Sequence, residues 1–221
     1  MKSKLVFLEP NKIGAEPFTT SDIVAIQTGN SYRSIQRTIE NQMKRLETFG
    51  VMRFEITLPQ KGSKGGRPKK VYRLNEPQAT LLITFLKNNG VVADFKTELV
   101  HQFYAMRTEL QRRQIAKLDR KPIRESLTDG IKALPETPHK AMWYKHYTDL
   151  IYRIVTGKTA KQLREECGAS PKAVASDYMT ANEIEAVTRM ENRVAVMLEM
   201  GMDYQQVKAA LGNLKITAHA G

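Results

Sequence analysis

Residues 31–49 read SYRSIQRTIENQMKRLETF, and the reading of that stretch decides the fold. Ile35, Ile39, Gln42 or Met43, Leu46 and Phe49 recur at spacings of three and four, which stacks them on one side of a helix with 3.6 residues per turn. At about 100° per residue, Arg33, Arg37 and Lys44 fall on the opposite side, with Asn41 and Thr48 beside them. The spacing predicts one helix from Ser31 to Phe49 with an apolar face for a core and a cationic face that no core can take. Guanidinium, ammonium and amide donors on such a face suit phosphates and base edges. An ordinary solvated surface also looks like this, so the flanking segments carry the decision.

Ahead of the helix stands FTTSDIVAIQTGN, residues 18–30. Thr20 or Ser21 can cap a short helix there, Asp22 suits its first turn, and Ile23, Val24 and Ile26 give it an apolar face. Thr28-Gly29-Asn30 then breaks the pattern. A short helix, a Gly-containing turn and a longer helix with a cationic face follow the helix-turn-helix grammar. After Gly50, a helix stop, the period becomes two: Val51, Arg53, Glu55 and Thr57 alternate with an apolar face of Met52, Phe54, Ile56 and Leu58. Lys70 to Leu74 is the return strand. The Gly- and Pro-rich segment between them is strongly basic, with six Lys/Arg and no acid from Lys61 to Arg73. A two-stranded ribbon with a long basic tip after a helix-turn-helix is the sequence form of a winged helix. Its Gly65-Gly66-Arg67-Pro68 core resembles the Gly-Arg-Pro segments that lay an extended Arg into the minor groove of A·T-rich DNA. The candidate DNA contacts are therefore Ser31, Tyr32, Arg33, Arg37, Asn41 and Lys44 on the helix, and Lys61, Lys64, Arg67, Lys69 and Lys70 on the tip.

Outward from this region, Lys4 to Leu8 (KLVFL) reads as a short outer strand ended by Glu9-Pro10-Asn11. Asn75-Glu76-Pro77 opens a helix with an Ala79, Leu82, Ile83, Leu86 stripe, closed by Asn88-Asn89-Gly90. Phe95 to Leu118 reads as a long helix whose apolar side includes Phe95, Leu99, Phe103, Met106, Leu110 and Ile115, with His101 a partly buried neighbour of Phe103. Residues 119–138, with three prolines, read as a linker. Beyond them Trp143, Tyr147, Leu150, Ile151, Ile154 and Val155 form one apolar face. Thr159-x-x-Gln162 and Thr180-x-x-Glu183 are capping boxes for helices stopped at Gly168 and Gly201, and Asp203 to Leu211 is a last short helix. The expected fold is mainly α with a small β-hairpin (α+β): a winged helix-turn-helix-like DNA-binding domain with a long helix over 1–118, a linker over 119–138, and a helical domain over 139–221. The last is small for a self-sufficient core, which suggests burial against a second copy, a dimer.

The chain has 221 residues and a net charge of +12, and the charge is unevenly shared. Residues 1–121 hold 22 Lys+Arg against 11 Asp+Glu, whereas residues 122–221 hold 13 against 12. The basic half calls for a polyanion, with double-stranded DNA the leading partner. No run approaches the ~20 apolar residues of a membrane span, and MKSKLVFLEP lacks the features of a signal peptide, so a cytoplasmic protein without a membrane partner is expected. Cys167 is the sole cysteine, which excludes an internal disulfide and a cysteine-built zinc site. It reads as a half-buried helix residue.

Catalytic and cofactor chemistry finds no footing. Gly157-Lys158-Thr159 suggests a P-loop, but Tyr152 stands where that motif needs glycine, and helix capping accounts for Thr159. His139 and His146 lack a carboxylate or cysteine to complete a metal set. Trp143, Tyr144 and Tyr147 fit a core stripe better than a base-stacking platform. No nucleophile, base and orienting acid can be assembled. A nuclease would show divalent-metal-dependent cleavage, and the first half offers few acids to hold such a metal. The expectation is a protein that is not an enzyme and uses no cofactor or metal.

Several motifs, in order, resemble the phage regulatory protein family called Rha: the run Phe18 to Ala25 (FTTSDIVA), the helix after Asn30, the GRPKKVYRL return strand, and Phe95-Lys96 followed by Phe103-Tyr104-Ala105-Met106-Arg107. The resemblance covers residues 18–110. The carboxyl half, with YTDLIYRIVTGKTAKQLREECG and VAVMLEMGMDYQQVK, resembles tail domains attached to phage antirepressor-like proteins. Rha-like chains often carry His near the start of the second helix, where this one has Ser31-Tyr32, so its target would differ if that His contributes to recognition. The resemblance implies a prophage-encoded regulator in the cytoplasm of a bacterial host, with no cofactor. Two readings follow: a sequence-specific DNA-binding transcriptional regulator, or an antirepressor whose carboxyl helices bind and inactivate a phage repressor protein.

Overall fold

The computed structural model of the protein describes residues 3–57, 68–136 and 140–212. The basic tip through Lys61, Lys64 and Arg67 lies outside the described residues, as do Leu58 and His139. The fold is mainly α with a small sheet, divided into two compact units: Met1–Glu9 with Gly14–Thr108, and Pro10–Ile13 with Glu109–Gly221.

The first unit runs β1 (Phe18–Thr20), α1 (Ser21–Thr28), α2 (Tyr32–Asn41), α3 (Met43–Leu46), a 3-10 turn (Glu47–Phe49), β2 (Arg53–Thr57), β3 (Lys69–Asn75) and α4 (Glu76–Thr84), followed by the start of α5 (Gly90–Ala133). Gly29 ends α1 in the left-handed region at φ 66°, a conformation that costs glycine little and lets α2 leave at an angle. The expected two-stranded ribbon is a three-stranded antiparallel sheet of order β1-β3-β2. β3 is central, pairing Thr19 with Leu74 and Val71 with Glu55, because residues before α1 supply a third strand. The KLVFL run does not form a strand of that sheet. Phe7 and Phe18 exchange backbone hydrogen bonds at 2.8 and 2.9 Å, whereas the Leu5 and Val6 N–H groups donate to Gln102 Oε1 at 2.7 and 3.2 Å.

The helix expected from Ser31 to Phe49 is interrupted at Gln42, where φ is −106° and ψ is 9°. The Gln42 carbonyl accepts from the Arg45 and Leu46 N–H groups, which starts α3. Ile35, Ile39 and Leu46 are fully buried, and each such side chain stabilises the packed helix by ~1.5–3 kcal/mol. Phe49 leaves this stripe, 48% exposed, because the last turn tightens to three residues per turn. The apolar face of β2 is likewise open: Met52, just before it, is buried, but Phe54 and Ile56 are exposed, with the Lys70 ammonium over the Phe54 ring. His101, expected to be half-buried, is exposed, and so is Ile115.

The second unit contains the remainder of α5, then α6 (Lys140–Thr156), α7 (Ala160–Glu166), a 3-10 turn (Ala175–Tyr178), α8 (Ala181–Glu199) and α9 (Tyr204–Gly212). The linker expected over 119–138 is helical through Ala133, within the 44-residue α5, and Pro122 lies inside that helix. Burial outweighs the breaker: Leu127 and Ile131, one turn apart, join Tyr147, Ile151, Val187, Val194 and Val207 in one core. Pro122 lacks the N–H that would serve the Leu118 carbonyl. Both expected capping boxes form. Thr159 and Thr180 accept from the Gln162 and Glu183 N–H groups, and the Gln162 and Glu183 side chains accept in return from the cap backbone. Among the described residues no helix is long and apolar enough to cross a membrane.

Candidate nucleic-acid interface

Ser31 caps α2, its hydroxyl accepting from the Ser34 N–H at 3.2 Å. From that start, Arg33, Arg37 and Asn41 follow one another at intervals of four, all exposed, so one helix face carries them in a row with Cβ atoms about 6 Å apart. Lys44, on α3, is exposed too. No acid among the described residues pairs with Arg33, Arg37 or Lys44.

Tyr32, another of the candidate DNA contacts, is also tied to the sheet. It is half-buried, and its hydroxyl donates to the Lys70 carbonyl. Gln36, one turn on, donates through Nε2 to both the Tyr32 hydroxyl (2.8 Å) and the Lys70 carbonyl (3.0 Å). Burial first, and then the Asp22 charge, push the Tyr32 phenol up from its ordinary range, so it stays a donor. The result is a polar clasp between α2 and the central strand of the sheet.

The return strand presents its cations unequally. Lys69 is exposed, its ammonium 5.6 Å from the centre of the Tyr32 ring. Lys70 lies over Phe54 at 3.9 Å and Tyr72 at 4.9 Å, contacts that hold its stem along the sheet. Arg73, by contrast, is neutralised by Glu55 and Glu9 and stacks over Phe18. The face that can attract an anion thus consists of the α2 row, Lys44 and the Lys69 end of the strand.

Gln36 was not among the predicted contacts. Its signal in the sequence is a polar residue one helical turn after a tyrosine, flanked by the buried Ile35. Asn75 and Gln78 also escaped notice as organisers: Asn75 Nδ2 donates to the Phe49 carbonyl at 2.9 Å and Gln78 Nε2 to the Gly50 carbonyl at 2.8 Å. These bonds fix the turn between α3 and β2, where Gly50 adopts φ 128°. Among the described residues no group of three or more His, Cys, Asp or Glu could hold a metal ion. The Cys167 thiol is pushed up by burial and then by Glu166, which disfavours the reactive thiolate.

Residues 19–108 match the model of a family of regulatory proteins. That family is phage regulatory protein Rha, and the matched residues run from β1 into α5. No curated protein matches the chain.

Proposed function

We propose that the protein is a phage regulator that binds double-stranded DNA through a winged helix-turn-helix, with α1 and α2 as the helix pair and β2 and β3 as the wing. The observation that carries this reading is the row of Arg33, Arg37 and Asn41, exposed and with neither arginine ion-paired among the described residues, clasped to a cationic strand by Tyr32 and Gln36. In the major groove, Arg33 and Arg37 would read guanine edges and Asn41 adenine, while Lys44 and Lys69 neutralise phosphates. Lys61, Lys64 and Arg67 would extend the wing along the flanking backbone or minor groove. The test is in vitro selection of DNA bound by the full chain, followed by fluorescence anisotropy on the selected site across a salt series. A two-fold site with half-sites about one helical turn apart would also establish a dimer. Failure to enrich any sequence over random DNA would defeat the reading.

A second reading is favoured by Val196 and Met200, one turn apart at the end of α8 and exposed at 46% and 74%. Residues 122–221, nearly neutral in charge with 13 Lys+Arg against 12 Asp+Glu, would use them to hold a phage repressor protein. Co-purification of the full chain with the repressor of its own prophage, lost on Met200→Glu, would support it. No complex with that repressor would remove it.

A further inference from the structure

The carboxyl unit holds a cavity of about 730 Å³ between α5, α6 and the Ala175–Tyr178 turn, within the range of small-molecule sites. Its apolar walls include Ile13, Leu118 and Val174, and Lys121, Arg124 and Ser176 also line it.

Its charge is not balanced. Arg120 reaches Glu191 with two hydrogen bonds of 2.7 Å, and Arg124 reaches the same carboxylate at 2.9 Å. Glu191 is fully buried. Two guanidiniums therefore share one carboxylate, leaving one positive charge uncompensated in a part of the protein where water screens poorly. Arg124 is only a third exposed, and its other nitrogen donates to Thr148 Oγ1. Lys121, exposed on the next turn of the lining, has no acidic partner among the described residues. Lys117 is already paired with Asp177, and Glu125 is the single acid on the wall.

A third observation points the same way. Ser176 is 1% exposed and lines the cavity, which adds a hydroxyl able to donate to an anion to the cationic lining. A divalent cation would be repelled by this lining, and a fully polar anion would waste the apolar walls.

We infer that the cavity binds a small organic anion with an apolar body, its carboxylate held by Arg124, Lys121 and the Ser176 hydroxyl and its hydrocarbon against Ile13, Leu118 and Val174. None of the residues proposed to meet DNA lines this cavity.

Isothermal titration calorimetry of the full chain with decanoate, below its micellar concentration, tests the assignment. Saturable one-to-one binding is expected, with decanol at least tenfold weaker. Lys121→Glu and Leu118→Asp both alter exposed side chains and should each weaken decanoate at least tenfold, while circular dichroism melting shows that the fold is kept. The proposal is overturned if decanoate gives no saturable heat, if decanol binds as well, or if both folded variants bind decanoate like the wild type.

Discussion

The Tyr32 hydroxyl donates to the Lys70 carbonyl, so the first residue of the cationic helix is fastened to the central strand of the sheet. This bond orients the Arg33–Arg37 row without belonging to it. Tyr32→Phe should lower stability by about 0.5–1.5 kcal/mol, read from urea unfolding, because Gln36 still serves the same carbonyl. On DNA it should weaken binding while leaving the slope of log affinity against log salt unchanged. A changed slope would mean that Tyr32 itself touches phosphate.

Arg33→Ala and Arg37→Ala should each weaken binding to a selected site by about 1–3 kcal/mol and relax base preference, whereas Lys69→Ala should reduce the salt slope by about one. Anisotropy titrations separate the two effects. Ile35→Ala, which hollows the core beneath the same helix, should instead cost about 2–5 kcal/mol of stability. Arginine variants that bind like the wild type would remove α2 from the interface.

In the carboxyl unit, Glu191 answers to Arg120 and Arg124 together. Burial opposes the Arg120 charge, but the hydrogen bond to Glu191 more than reverses that and raises its pKa. Glu191→Gln should cost about 3–5 kcal/mol, because it strands two cations inside the fold. Chemical denaturation gives the number directly, and a loss under 1 kcal/mol would show that water reaches the cluster.

Stability should vary with pH at both ends. Burial works against the Glu109 carboxylate, but the Ala181 N–H and Arg113 outweigh it and lower its pKa. Its contribution is present above the unfolded value, about 4.3, and is lost as pH falls through the lower folded value. Burial, then Tyr204 and Asp203, push Tyr147 up to about 12. Its contribution holds below the unfolded value of about 10 and is lost as pH rises toward 12. Urea midpoints from pH 3 to 7 and from 9 to 12 should flatten in Glu109→Gln and Tyr147→Phe respectively.

What could be read in the chain beforehand was what local chemistry dictates. Thr159 with Gln162 and Thr180 with Glu183 announce their helices because a cap needs only four residues to be recognised, and Ile35, Ile39 and Leu46 announce a buried face by spacing alone. The outer arginines followed, since whatever opposes that face must meet solvent. Long-range pairing was less accessible. Nothing local says that Phe18–Thr20 will join β3, that Gln36 will reach the Lys70 carbonyl, or that Pro122 will yield to the burial of Leu127 and Ile131. Glu191 occupies an apolar stripe on α8, and only the arginines of α5 explain it. Their spacing of four, Arg120 to Arg124, was the available clue.

Pro10–Ile13 belongs with the carboxyl unit although the residues on either side belong to the first. Asn11 accepts from Arg113 at 2.9 Å, and the Ile13 N–H donates to the Asp177 carbonyl at 2.8 Å. On the ribosome, these four residues must therefore wait for partners synthesised more than a hundred positions later, and closing such loops slows folding. A clean cut at residue 108 would yield an amino-terminal fragment with an orphaned insert at its start, and a carboxyl fragment missing a piece of its own wall. Dissecting this protein into halves would require grafting those four residues across, not merely choosing where to stop the chain.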